Sequence, residues 1–447
     1  MMDGMKDSGI RWIGLTPENW NLLRMKDCSY MKGRIGWQGL TADEFIEEGP
    51  YLITGTDFDN GRVCWDRSYH ISEKRYDEDH AIQVREGDLL VTKDGTIGKL
   101  AYIDSMPGRA SLNSHLLLIR PLRGKYINRF LYWVLGSSVF QGYYELVSSG
   151  STMDSISQEK IGNFHFFAPS IIEQEAIADY LDKHCAKLDS IISDLEQQIE
   201  TLQKYKKSLI TEVVTKGLDK SAPMKDSGIE WIGKIPEHWD AKRLKYLLSS
   251  PLQYGANEAG DDYDEEWPRY IRITDITEDN RLKEDGKLSL EPKLAKPYIL
   301  EHGDVLFARS GATVGKTFYY HNEYGLAAFA GYLIKAKTKR SRLLPKFLYY
   351  TTLGIGYENW KNMVFTQATI QNIGADKYAQ LIVTVPPISE QEDIVGYLDG
   401  VCGEIDEILD IKNAQRDRMQ QHKQSIIFEY VTGKKRVKEA MQYANQS

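Results

Sequence analysis

The sequence predicts an α+β protein made by duplication. Two copies of one mixed α/β module each lead into a long helix, and the two helices pair antiparallel about a pseudo-twofold axis. Three observations predict this. A ten-residue phrase occurs twice, MKDSGIRWIG at Met5–Gly14 and MKDSGIEWIG at Met224–Gly233, with one letter changed. Further matched words follow each copy in the same order. Each copy then runs into a stretch with apolar residues at helical spacing.

The first module takes residues 1–170, with its opening motif at 5–20. Pro17, Glu18 and Trp20 are matched by Pro236, Glu237 and Trp239. Trp12, Trp20, Trp231 and Trp239 read as framework anchors. Short apolar runs bounded by Gly, Asp or Pro read as strands: AIQV (81–84), LLVT (89–92) and HLLLI (115–119). INRFLYWVLGSSVF (127–140) reads as helix. GDLLVTKDGTIGK, Gly87–Lys99, matches GDVLFARSGATVGK, Gly303–Lys316. Both predict a tight strand–turn–strand loop whose polar tip projects Thr92, Lys93 and Asp94, or Arg309 and Ser310.

The first long helix is expected over 171–217. No Gly or Pro occurs between Ile172 and Lys216, and Ser170 with Glu173 has capping-box spacing. Leu188, Leu195, Leu202 and Leu209 recur every seven residues, and Ile191, Ile192, Ile199 and Val213 widen the stripe, which is coiled-coil periodicity. The second module follows over 218–387, with its opening motif at 224–239. It contains LIVTV (381–385) as a strand and LPKFLYYTTL (344–353) as a helix. The second long helix and a basic tail take 388–447, with Ser389 and Glu392 as the cap. Its packing residues are Ile405, Ile408, Leu409, Met419 and Ile426. Gly396, Gly400 and Gly403 weaken its first turns or admit a close neighbour, and Lys412 interrupts its stripe.

At 447 residues, 42% hydrophobic and 27% charged, the composition is that of a soluble globular chain. No leader-like segment and no apolar run of about 18 residues is visible. Cys28, Cys64, Cys185 and Cys402 show no CxxC spacing, which predicts a reduced, cytoplasmic protein without structural zinc. The net charge of −8 argues mildly against nucleic acid, but binding depends on local patches. Lys335, Lys337, Lys339, Arg340, Arg342 and Lys346 form one basic cluster.

Catalytic signatures are missing. SGATVGKT, Ser310–Thr317, approaches a phosphate-binding loop, but Ser310 stands where the first glycine is required. In the first copy Leu100 follows Lys99, where such a loop needs Ser or Thr. No methyltransferase tetrapeptide of the Asn-Pro-Pro-Tyr type, HExxH or GxSxG occurs, and the histidines do not cluster at metal-ligand spacing. A duplicated body without catalytic clusters reads as a binding scaffold.

The opening MKDSGIxWIGxxPExW, the GDxLxxxxGxxxGK element and the PxxxEQxxIxxYLD entry into a long helix together resemble the specificity subunit of Type I restriction–modification systems. The resemblance covers nearly the whole chain, in both halves. It implies two target-recognition domains, each reading one part of a bipartite double-stranded DNA target, with the helices as spacer. It also implies that the chain itself is noncatalytic and binds no cofactor directly. Two methyltransferase subunits would dock on it and bring S-adenosylmethionine for adenine-N6 methylation, and a motor-nuclease subunit would add restriction. A specificity subunit of a related Type II system is the alternative. A nucleotide-binding enzyme built on Ser310–Thr317 is a remote one.

Under this resemblance the loop tips are where bases are read. The DNA-binding candidates in the first copy are Thr56, Arg62, Thr92, Lys93, Asn113, His115 and Thr152. In the second they are Arg272, Thr274, Arg281, Arg309, Ser310 and Gln367. Arg suits guanine, and Asn or Gln suits adenine. Lys99 and Lys316, beside loop glycines in both copies, are phosphate candidates because phosphate contacts need no divergence.

Overall fold

A computed structural model describes residues 4–34, 44–94, 96–148, 156–277, 280–311, 313–366 and 372–437. The chain forms two compact units. One comprises residues 1–195 with 414–447, and the other 196–413. Each unit therefore holds one globular module, part of the first long helix and part of the second.

In the first unit a four-stranded antiparallel sheet runs in the order Leu100–Tyr102, Leu89–Thr92, Leu116–Pro121, Ser29–Lys32. Leu89, Leu90, Val91 and Leu116–Ile119 are fully buried. Both sheet faces are covered, so the strands read as continuous apolar runs rather than alternating ones. A three-stranded sheet of Ala110–Leu112, Ile46–Ile53 and Tyr69–His70 lies beside it, its first pair parallel. AIQV is not a strand. His80–Ile82 is a 3₁₀ turn, capped by Asp79 accepting from Ala81 N, and only Gln83 bridges to Ser111. The expected helix over 127–140 is two, Asn128–Leu135 and Ser138–Ser148, broken at Gly136.

The second unit repeats the plan. Gln253–Tyr254, Leu333–Ala336, Val305–Ala308 and Thr317–Tyr319 form its four-stranded sheet. Pro345–Leu353 and Ile355–Thr366 are the corresponding helices. The internal hydrogen bonds recur too. Asp57 Oδ2 accepts from Thr54 N at 2.7 Å, as Asp275 Oδ2 does from Arg272 N at 2.8 Å. Asp88 Oδ2 accepts from Arg85 N, as Asp304 Oδ2 does from Glu301 N.

The long helices are Ile171–Lys216 and Ile388–Val431, each continuous. The first begins on its expected cap, Ser170 Oγ accepting from Glu173 N. The second does not use Ser389, which lies inside the first turn; Pro387 holds the position of Ser170, and its carbonyl accepts from Gln391 N. Within the first unit the helices run antiparallel, since Glu173 meets Arg436, Tyr180 meets Tyr430 and Asp189 meets Lys423. Within the second, Gln198 meets Lys412 and Lys206 meets Asp406, again antiparallel. Lys412 thus contributes a hydrogen bond across the pair rather than a break.

The apolar contact differs in detail from the heptad expectation. In the second unit Ile199, Ile405 and Leu409 are buried together, with Leu202 and Leu209 against them. Leu188, Leu195, Met419 and Ile426 are half-buried. Ile191 and Ile408, expected to pack, are 46% and 42% exposed. Their neighbours Ile192 and Leu409, also part of the expected stripes, are buried. Adjacent helical positions differ by about 100°, so only one of each pair can face the partner. A Cβ on Gly396, Gly400 or Gly403 would meet nothing within 4 Å among the described residues, so no close neighbour there uses these glycines.

Candidate nucleic-acid interface

The opening phrase is a self-capped hairpin. Met5–Asp7 pairs with Leu15–Pro17, Asp7 Oδ1 accepts from Gly9 N, and Ser8 Oγ accepts from Ile10 N. Met224–Asp226 and Lys234–Pro236 repeat these bonds through Asp226 and Ser227. The hairpin delivers a buried tryptophan to the end of the helix that belongs to the other copy. A Cβ on Gly433 would lie 2.4 Å from Pro17 and 3.1 Å from Trp20, and Gly433 has φ +75. Gly217, also at φ +75, lies correspondingly against Trp239. Glycine is required where a ring packs on backbone in this conformation. Trp12 packs on Gly142, and Trp231 on Gly356. All four tryptophans thus pack on a glycine within their own unit.

Two further pairs, which the reading of single motifs missed, fix each module to the start of its own helix. Gln174 is fully buried; its Oε1 accepts from Ile127 N, and its Nε2 donates to the carbonyls of Pro169 and Lys125. Gln391 does the same with Leu344 N, Pro386 and Arg342. Asp182 accepts from Trp133 Nε1 at 2.8 Å and pairs with Arg129. Asp399 accepts from Tyr350 at 2.6 Å and Lys346 at 2.7 Å. Burial and the Asp399 carboxylate push the Tyr350 hydroxyl far above its usual range, so it stays a donor. The signal was present in the sequence, as the shared letters EQ and YLD in both copies.

With the framework fixed, the loops at one end of each module come together. In the first, Lys93 N donates to His115 O and Ile156 N to Lys93 O. Gly55, beside Thr56, packs on Thr92, and His115 Nδ1 lies 3.4 Å from Asp94. Lys93, Asn113, His115, Thr56 and the exposed Lys99 thus share this end. In the second module Arg309 N donates to Tyr332 O, Ile373 N donates to Arg309 O, and Ser310 bridges to Asn372. Lys316 Nζ points at Ile276 O, 3.5 Å away, which joins it to the turn carrying Arg272 and Thr274. The backbone bonds match position for position, yet the side chains differ. Lys93 corresponds to Arg309, Asp94 to Ser310 and His115 to Tyr332.

Four candidates are placed otherwise than expected. Thr92 does not project. It is 3% exposed, and its Oγ1 accepts from Lys99 N while donating to Thr96 O, closing the loop from inside. Arg272 is held by Asp275 through Nε and Nη2 and by Gly286 O. Arg281 pairs with Asp410 of the second long helix at 3.1 Å. Arg62 pairs with Asp104 and faces a cavity of about 380 Å³ lined by Tyr132, Asp182, Cys185 and Lys423. Each arginine was diverted by a carboxylate distant in sequence or by local turn geometry. Thr152 and Gln367 lie outside the described residues.

Among the described residues of Ser310–Thr317 no phosphate cradle forms. Gly315 N donates to Ala308 O, Val314 N to Gly311 O and Lys316 N to Thr313 O. These N–H groups are consumed internally, and strand Thr317–Tyr319 follows where a phosphate loop needs a helix. Among the described residues no cluster of three His, Cys, Asp or Glu side chains could hold a metal. Burial pushes the Cys185 thiol up to about 11 and raises Cys402 as well, so both remain protonated packing groups. No described helix is long and apolar enough to cross a membrane.

Fold and site define a duplicated recognition scaffold: one framework, built twice, carrying two different sets of loop side chains. The family model of the Type I restriction modification DNA specificity domain matches residues 17–201 and 256–414, and the chain belongs to that family. Among curated relatives, the Type I restriction enzyme MjaVIII specificity subunit of Methanocaldococcus jannaschii is 22% identical over 94% of this chain and 94% of its own. The StySPI specificity subunit of Salmonella potsdam is 24% identical over 80% of this chain and 74% of its own. A solved chain from work on complex assembly and conformational transition of the type I R-M system matches the fold with TM-score 0.60. It is 16% identical and covers 94% of this chain and 99% of its own.

Proposed function

We propose that this chain is the sequence-specificity subunit of a Type I restriction–modification complex. Each module reads one part of a bipartite DNA target, and the paired helices set the gap between the parts. The chain performs no chemistry itself. Two methyltransferase subunits dock on the duplicated framework and bring S-adenosylmethionine and adenine-N6 methylation, and a motor-nuclease subunit adds cleavage. Lys93, Asn113, His115 and Thr56 supply contacts in the first module, and Arg309, Ser310 and Thr274 in the second. Lys99 and Lys316 hold phosphate.

One observation supports this reading most. Equivalent backbone hydrogen bonds hold Lys93 and His115 in one copy and Arg309 and Tyr332 in the other. Stability alone does not require that a duplicated loop keep its backbone and change its side chains. Recognition of two different half-sites does. The net charge of −8 is no obstacle, since partners add phosphate contacts. The test is to exchange residues 21–168 for the matching segment of a relative and map methylated adenines by long-read sequencing. One half-site should change while the other and the gap stay. A change in both would overturn independent reading.

A further inference from the structure

Five arginine or lysine side chains were candidates for grip on a base edge, and their partners separate them. Arg62, Arg272 and Arg281 are each neutralised by a carboxylate, Asp104, Asp275 and Asp410. Lys93 carries a point charge on a flexible stem, without a planar fork. Arg309 is different. Among the described residues no carboxylate pairs with it. Its guanidinium carbon lies 4.9 Å from the centre of the Tyr254 ring. Its Nε is buried without a hydrogen-bond partner, while neither terminal nitrogen is hydrogen-bonded within the described residues.

The platform beneath it is rigid. Tyr254 lies on strand Gln253–Tyr254, paired to Ile334 and Lys335, and its hydroxyl accepts from Ala375 N at 2.9 Å. The Arg309 backbone is tied at both N and O, to Tyr332 and Ile373. An arginine held in this way has already lost most of the side-chain freedom that binding would cost. Strand register shows what the other copy has instead. Leu118 pairs with Lys32 as Lys335 pairs with Gln253, which puts Gly33 in the place of Tyr254. Fork and ring are absent together from the first module, where Lys93 replaces Arg309.

We propose that Arg309, mounted on Tyr254, is the guanine reader of the second module, its two terminal nitrogens donating to the O6 and N7 of one guanine in the major groove. The inference rests on the specificity-subunit reading and extends it: the half-site of the second module contains a G·C pair that Arg309 selects. Tyr254 is a positioning residue.

The test uses the complete methylating complex with the wild-type chain, Arg309→Lys, Arg309→Ala and Tyr254→Ala. Methylated motifs are mapped in cells, and binding is measured on duplexes carrying each base pair at every position of the second half-site. Discrimination at one G·C position should fall by roughly ten- to a hundredfold in both Arg309 variants. The first half-site should be unchanged, which reports that the chain is folded. Tyr254→Ala should blunt selectivity at the same position and no other. A second half-site without a G·C pair, or Arg309 variants with undiminished selectivity at every position, would sink the assignment while leaving the bipartite reading intact. Methylation that follows no bipartite motif in the wild type would sink the reading beneath it.

Discussion

Gln174 and Gln391 carry more structural weight than their polarity suggests. Each is fully buried and satisfies one N–H and two carbonyls where its module meets its helix. Gln391→Leu keeps the volume but leaves Leu344 N and the Arg342 and Pro386 carbonyls unpaired. Denaturant unfolding should show a loss of about 2–4 kcal/mol, because an orphaned buried group costs its full desolvation. A loss under 1 kcal/mol would mean that solvent reaches the site. Lys99 and Lys316, proposed to hold phosphate, are tested at the same scale. Replacing either by alanine should weaken DNA binding by the complex equally on all target sequences. It should also reduce the slope of log affinity against log salt by about one. A sequence-dependent effect would reassign that lysine to base reading.

At the scale of elements, burial orders the long helices. Leu409 is buried with Ile199 and Ile405, whereas Ile408 is 42% exposed. Leu409→Ala should therefore cost about 2–4 kcal/mol in the melting of the chain, and Ile408→Ala within about 0.5 kcal/mol. Equal effects would place Ile408 in the seam after all. The heptad leucines were legible in the sequence, and so was the antiparallel pairing now seen within each unit. The choice between Ile191 and Ile192, or Ile408 and Leu409, was not. A stripe of adjacent apolar residues spans more than one face, and only the partner helix selects which is covered. AIQV failed for a related reason: Asp79 caps a 3₁₀ turn there, and local capping outweighs apolar content.

At the scale of the whole molecule, the duplication dictates what a change in length would do. Seven residues inserted into both long helices add about 10.5 Å of rise, close to three base pairs of duplex. Methylome mapping should then return unchanged half-sites with a longer gap, or no methylation; altered half-sites with an unchanged gap would refute the spacer role. The sequence by itself determined that the framework exists twice, because repeated words keep their order when repeated contacts must be kept. It also determined which loops diverge. Only the tertiary structure decided which side chains remain available at those loops. Asp104, Asp275 and Asp410 take three of the candidate arginines, and Thr92 is turned inward to close its own loop. Of these carboxylates, Asp104 and Asp410 lie far along the chain from the arginines they bind. Charge pairing acts through space, so composition and spacing cannot reveal which cations are already neutralised and which, like Arg309 on Tyr254, have no carboxylate partner among the described residues.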